Sequence, residues 1–154
     1  MSILNKDLFL YNPETRKLVN EGVANVNDTA RSSHDLDVLR YELETFVCDG
    51  QYEHGLQIVL ESFLSNIGQA EQPSAWVSGF FGSGKSHLVK MLRALWTNTR
   101  FPDGATAQGI ASLPDKIRDL LKELEVEGKR SGGLHAASGT LGAGASGSVP
   151  PSLL

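Results

Sequence analysis

The sequence predicts an α/β fold: the start of a parallel sheet with flanking helices, preceded by a mainly helical N-terminal segment. Three observations predict it. Gly79-Phe80-Phe81-Gly82-Ser83-Gly84-Lys85-Ser86 matches the pattern G-x-x-x-x-G-K-[ST] at every position. The strand-like stretch Trp76-Val77-Ser78 leads into it, and an amphipathic helical stripe leads out of it. Two further amphipathic stripes stand upstream.

The elements follow in chain order. Val19, Val23 and Val26 fit short strands or extended segments. Ser32-Ser33-His34-Asp35 offers a capping-box start, in which a hydroxyl satisfies an N–H that the first turn leaves open. Leu36, Leu39, Leu43, Phe46 and Val47 then recur at helical spacing, with Gly50 as the expected stop. A second stripe runs through Leu56, Val59, Leu60, Phe63, Leu64 and Ile67 to Gly68. Only a short turn separates the two, so they read as an antiparallel helix pair.

The stretch from Gly68 to Ala75 is polar, contains Pro73 and reads as a linker. Ala75–Ser78 is the one good strand candidate, and Leu134–Ala137 is a weak second. After the glycine-rich loop, Leu88, Met91, Leu92, Leu95 and Trp96 form one helical face. Thr97 to Gly109 reads as loop, with Pro102 and the Asp103-Gly104 turn signal. Pro114 opens a further helix, whose face is Ile117, Leu120, Leu121 and Leu124. Seven of the twenty residues from Gly128 to Gly147 are glycine, the composition of a flexible tail.

Composition narrows the function. The chain has 154 residues, 40% hydrophobic and 21% charged, close to an ordinary globular domain. No apolar run approaches the roughly 20 residues a membrane span needs. The N-terminus, Met1-Ser2-Ile3-Leu4-Asn5-Lys6-Asp7, has no charged-then-apolar leader. A single cysteine, Cys48, forms no internal disulfide and no cysteine cluster, so a cytoplasmic location is expected. Residues 1–78 hold 12 acidic and 5 basic side chains, whereas residues 79–154 hold 6 acidic and 9 basic. Neither half carries the dense Lys/Arg stripe of a nucleic-acid footprint.

The motif carries the chemistry. Glycines let successive backbone N–H groups turn inward onto a phosphate. The helix that starts at the loop adds its open N–H groups and dipole. Lys85 is placed to reach the β- and γ-phosphates, and the Ser86 hydroxyl to ligate Mg²⁺. A chance match in a chain of this length has odds of roughly 0.5%. The expected phosphate-binding residues are therefore Gly79, Phe80, Phe81, Gly82, Ser83, Gly84, Lys85 and Ser86, with ATP and Mg²⁺ as ligands. The expected organisation is 1–72 as the helical segment, 73–131 as the start of a P-loop NTPase core, and 132–154 as a Gly-rich segment.

Other residues have blander readings. His87 follows Ser86 and lies near any bound nucleotide, but a packed or solvated histidine is the commoner use. His34 and His54 stand alone, which does not make a metal site. Cys48 reads as a small core residue, and Trp76 and Trp96 read as core. Hydrolysis requires a further acid at a strand end to hold Mg²⁺ or orient water. No apolar run after Ser86 ends in one: Asp103 sits in a turn, and Asp115 and Asp119 sit on a helix.

The stretch from Gln72 through Gly-Phe-Phe-Gly-Ser-Gly-Lys-Ser-His to Leu92 resembles the P-loop region of the BREX phage-defence ATPases, the BrxC/PglY family. Leu39-Arg40-Tyr41-Glu42-Leu43-Glu44-Thr45-Phe46-Val47 and Gly55-Leu56 are similar to that family's N-terminal segment, and Gly132 to Gly144 to a stretch further on. The likeness runs to about Val149; Pro150-Pro151-Ser152-Leu153-Leu154 departs from it. The resemblance implies a large cytoplasmic ATPase that works with other BREX proteins, among them a DNA methyltransferase and a phosphatase-like protein. It assigns the phosphate role to Lys85 and the Mg²⁺ role to Ser86. It also implies that this chain is an N-terminal fragment, in which Leu134–Gly144 is strand and turn only in the intact protein. It leaves DNA contact and oligomerisation of the full-length protein open.

Two other functions fit the residues. One is a non-catalytic module that binds a partner in response to nucleotide. The other is a small P-loop kinase, which is disfavoured because the loop lies far from the N-terminus and only Arg93, Arg100, Arg118 and Arg130 follow it.

Overall fold

The computed structural model describes Leu4, Leu8 and residues 33–137. The segments around Val19, Val23 and Val26, together with Ser32 and residues 138–154, lie outside the described residues.

Amphipathic stripes become helices wherever they can face one another. Helix α1, Ser33–Glu44, buries Val38, Leu39 and Leu43, and Asp35 in its first turn suits the positive end of the helix dipole. The chain then runs extended, with Phe46 and Cys48 turned inward and Val47 outward. Gly50 does not stop α1. It adopts φ 50° and opens α2, Gly50–Ser65, which buries Leu56 and Leu60. The glycine fits a left-handed corner at either end of a helix, so the residue type alone did not say which end it served. The main partner of α2 is α5, so the expected α1–α2 hairpin is not the organising contact.

Helix α3, Lys85–Trp96, buries Met91, Ala94 and Leu95. It ends at Thr97, whose hydroxyl donates to the Arg93 carbonyl (3.1 Å). A tight loop follows, in which Gly104 at φ 85° donates to the Phe101 carbonyl and Phe101 donates to that of Ala105, both at 2.9 Å. It seats Phe101 in the core. The short helix α4, Ala107–Ile110, is capped by the Thr106 hydroxyl, which accepts from the Gly109 N–H at 3.3 Å. Helix α5, Asp115–Arg130, starts after Pro114 as expected and buries Ile117, Leu120, Leu121 and Leu124.

The fold class departs from expectation. Among the described residues there is no strand and no sheet; the single ladder contact is an isolated antiparallel bridge between Arg100 and Thr106. The α/β parallel-sheet expectation is therefore wrong, and the architecture is a helical cluster around one core. Ala75–Ser78 is extended but unpaired, because a strand exists only against a neighbour and the described chain offers it none. Trp76, expected in the core, is 91% exposed on that segment, whereas Trp96 packs edge-on against Phe63 with ring centroids 4.6 Å apart.

Leu134–Ala137 is not a strand either. Gly132, at φ 87°, reverses the chain after α5, and the Gly133 N–H donates to the Gly128 carbonyl at 2.8 Å. That is the six-to-one bond of a Schellman helix stop, and Leu134 supplies its apolar contact over Gly128.

Ion pairs tie the shell together. Glu42 on α1 meets Lys90 on α3 at 2.6 Å, and Arg40 meets Asp103 at 2.7 Å. Cys48 is buried, as expected of a small core residue, and its thiol is pushed up to about 11, chiefly by burial and further by Glu53 and Asp49. Among the described residues no helix is long and apolar enough to cross a membrane.

Candidate phosphate-binding loop

The loop is built by two left-handed glycines and one lysine. From the extended segment the chain turns at Phe80–Ser83, where the Ser83 N–H donates to the Phe80 carbonyl at 3.2 Å. Gly82 at φ 79° and Gly84 at φ 78° occupy backbone space that side chains disfavour. Gly84 is the N-cap of α3, and its carbonyl accepts from the Leu88 N–H at 2.9 Å. The N–H groups of Lys85, Ser86 and His87 therefore stand in the first turn, which has no intrahelical acceptor for them.

Lys85 folds back across the loop. Its ammonium donates to the carbonyls of Gly79 (2.9 Å) and Phe80 (2.6 Å) and lies 3.4 Å from the Ser83 hydroxyl. The positive charge is thus held at the loop's mouth by the backbone. A polyphosphate at this site would exchange those carbonyl contacts for charged oxygens, which bind an ammonium more strongly.

The remaining expected residues divide. Gly79, Gly82, Ser83, Gly84 and Lys85 frame the loop, and Ser86 sits half-buried in the first turn of α3. Phe80 and Phe81 contribute backbone only; their rings are 90% and 101% exposed. His87 turns away from the loop and meets Phe46 edge-on, centroids 5.8 Å apart. Burial holds its pKa below the ordinary 6.5; Glu42 opposes that shift and Lys90 adds to it.

Two residues at this site carried no sequence signal. Tyr52, on α2, donates its hydroxyl to the Ser83 carbonyl at 3.2 Å. A Cβ built on Gly84 would land on that hydroxyl, so the glycine is required by close approach as well as by φ. Phe46 supports Tyr52 edge-on, centroids 6.0 Å apart, while also touching His87. Nothing in the spacing of Phe46, Tyr52 and Ser83 links them; only the packing of α2 beside α3 does.

A cleft of about 930 Å³ opens beside the loop, between α2, the extended segment and α3. Its walls are largely apolar and include Tyr52, Phe63, Trp76 and Leu88; among the described residues no Asp or Glu lines it. The acids considered for catalysis lie elsewhere: Asp103 pairs with Arg40, Asp115 with Arg118, and Asp119 with Lys122 at 3.0 Å. The Ala105 N–H, then Arg40, hold the Asp103 carboxyl below its usual range.

No family model matches the chain, and no solved structure matches it.

The donor set fits a phosphate with its counter-ion. Lys85 and the first-turn amides suit phosphate oxygens, and the Ser86 hydroxyl is a hard oxygen suited to Mg²⁺. Ser86 is the side chain expected to meet the metal, and phosphate oxygens and water would complete its coordination. Bound Mg²⁺ would neutralise phosphate charge, and Lys85 with the loop backbone would hold and orient the phosphates.

Proposed function

We propose that Gly79–Ser86 binds the phosphates of ATP with Mg²⁺, and that the chain is the nucleotide-binding N-terminal part of a BREX-type ATPase. The observation that carries the phosphate assignment is the Lys85 ammonium held at the mouth of the loop by the Gly79 and Phe80 carbonyls. The wider assignment rests on the resemblance of Gln72–Leu92 to that family, and the methyltransferase, the phosphatase-like protein and the cytoplasmic setting come with it as proposed context. Asp103, Asp115 and Asp119 are each engaged by a cation outside the cleft, which favours binding without turnover by this chain.

The test is a calorimetric titration of the chain and of Lys85→Ala with MgATP. Losing a charge-assisted contact removes about 1.5–3 kcal/mol, or roughly 10- to 150-fold in affinity. Equal affinity in the two proteins rejects the assignment of Lys85. A MgATP-dependent turnover that disappears in Lys85→Ala would show instead that the chain carries a catalytic acid.

A further inference from the structure

We infer that Tyr52 is a positioning residue for the phosphate loop, so that anion binding by the loop depends on helix α2. The inference rests on the phosphate-binding reading of the loop.

The geometry is that of a latch across one peptide plane. The Tyr52 hydroxyl holds the Ser83 carbonyl from the α2 side, at 3.2 Å. In a planar trans peptide the C=O and the following N–H point in opposite directions. Anchoring the Ser83 oxygen toward α2 therefore directs the Gly84 N–H away from α2. If that plane rotated, a carbonyl oxygen would replace a donor in the loop lining, and an anion would meet negative rather than positive charge. Glycine at Gly84 makes such rotation cheap, since its φ of 78° carries no steric preference for one plane over another. Something outside the loop has to fix it.

Tyr52 is placed to do so. Its ring is half-buried and braced edge-on by Phe46, which is itself 5% exposed. The hydroxyl fills the space where a Cβ on Gly84 would stand. The same Phe46 touches His87 in the first turn of α3. The segment joining α1 to α2 thus supports both sides of the loop–helix junction, through Tyr52 on one side and His87 on the other.

Tyr52→Phe removes the hydroxyl and keeps the ring. The wild type, Tyr52→Phe and Lys85→Ala are titrated with MgATP and with inorganic tripolyphosphate, which has no base. Tyr52→Phe is expected to bind both ligands about threefold to tenfold more weakly, by the same factor, at unchanged thermal stability. The Gly84 and Lys85 amide resonances of the ligand-free protein are expected to shift and exchange faster. Loss for MgATP alone would make Tyr52 a contact to the nucleoside and overturn the inference. Unchanged affinity in Tyr52→Phe, with Lys85→Ala still defective, overturns it while leaving the phosphate reading intact. If the wild type binds neither ligand, the phosphate reading fails; the amide resonances then decide on Tyr52, and an unmoved Gly84 signal rejects the latch.

Discussion

Two stretches of sixteen residues behave in opposite ways. Helix α5, Asp115–Arg130, puts one whole face into the core. Residues 68–83, which run from the end of α2 into the candidate loop, are exposed at every position, including Trp76, Phe80 and Phe81. Both contain large apolar side chains, so hydrophobicity does not separate them. Packing partners do. Ile117, Leu120, Leu121 and Leu124 fall on one side of a helix and find α2 and α3 opposite. Trp76, Val77, Phe80 and Phe81 also stand at spacings a helix could use, but they lie on extended and turn backbone that pairs with no neighbour among the described residues. Stability therefore sits in the helices, and the candidate chemistry sits on a segment that contributes little to it.

That separation is broken most directly from the stable side. Leu121 is 1% exposed and lies between the helices. Leu121→Ala should destabilise the protein by about 2–5 kcal/mol, since it loses transfer energy and leaves a cavity. Chemical denaturation measures this. Nucleotide affinity of the protein that remains folded should be unchanged, because sites without shared partners add independently. A parallel loss of affinity at full folding would mean that the core and the loop are coupled more tightly than their packing implies.

The comparison also separates what was legible in the sequence from what was not. Helices α3 and α5 were readable from their stripes, because an amphipathic helix is specified within its own length. The turns at Gly82 and Gly84 were legible because a left-handed φ is a local requirement of the backbone. The sheet is absent among the described residues for the complementary reason: Ala75–Ser78 has the composition of a strand, but a strand is a relation between two segments. Gly50 reads as the end of one helix and opens the next, since a left-handed corner serves either end. The roles of Tyr52 and Phe46 were invisible, because Tyr52 lies 31 positions from Ser83 and Phe46 further still, and no periodicity records that distance.

A smaller effect sharpens the boundary between the two regions. Glu42 and Lys90 join α1 to α3 one turn beyond the loop, at 2.6 Å, with side chains 19% and 11% exposed. Lys90→Ala leaves a mostly buried carboxylate without its cation, which should lower stability by about 1–3 kcal/mol. Lys90→Ala together with Glu42→Ala should recover part of that loss, because the uncompensated charge is gone. Thermal melts of the four proteins in the cycle read the coupling directly; a strictly additive cycle would show that the pair contributes only packing.

The smallest expected effect lies at His87, where the two regions meet. Burial lowers its pKa below 6.5, Glu42 opposes, and Lys90 assists. A histidine whose folded pKa is depressed binds its proton more readily in the unfolded chain. Its contribution to stability is therefore complete above about pH 6.5 and declines as pH falls toward the folded pKa. Stability measured from pH 7.5 down to pH 5 should fall more steeply in the wild type than in His87→Gln, which has no proton to take up. Each unit of depression is worth about 1.4 kcal/mol, so the gap between the two curves reads the shift itself. Protonation also adds a cation beside Phe46, the residue that braces Tyr52. If the loop leans on that brace, MgATP affinity should weaken over the same pH window in the wild type and not in His87→Gln. If affinity keeps its pH profile while stability changes, the helices alone sense the histidine, and the candidate loop is insulated from the core that carries it.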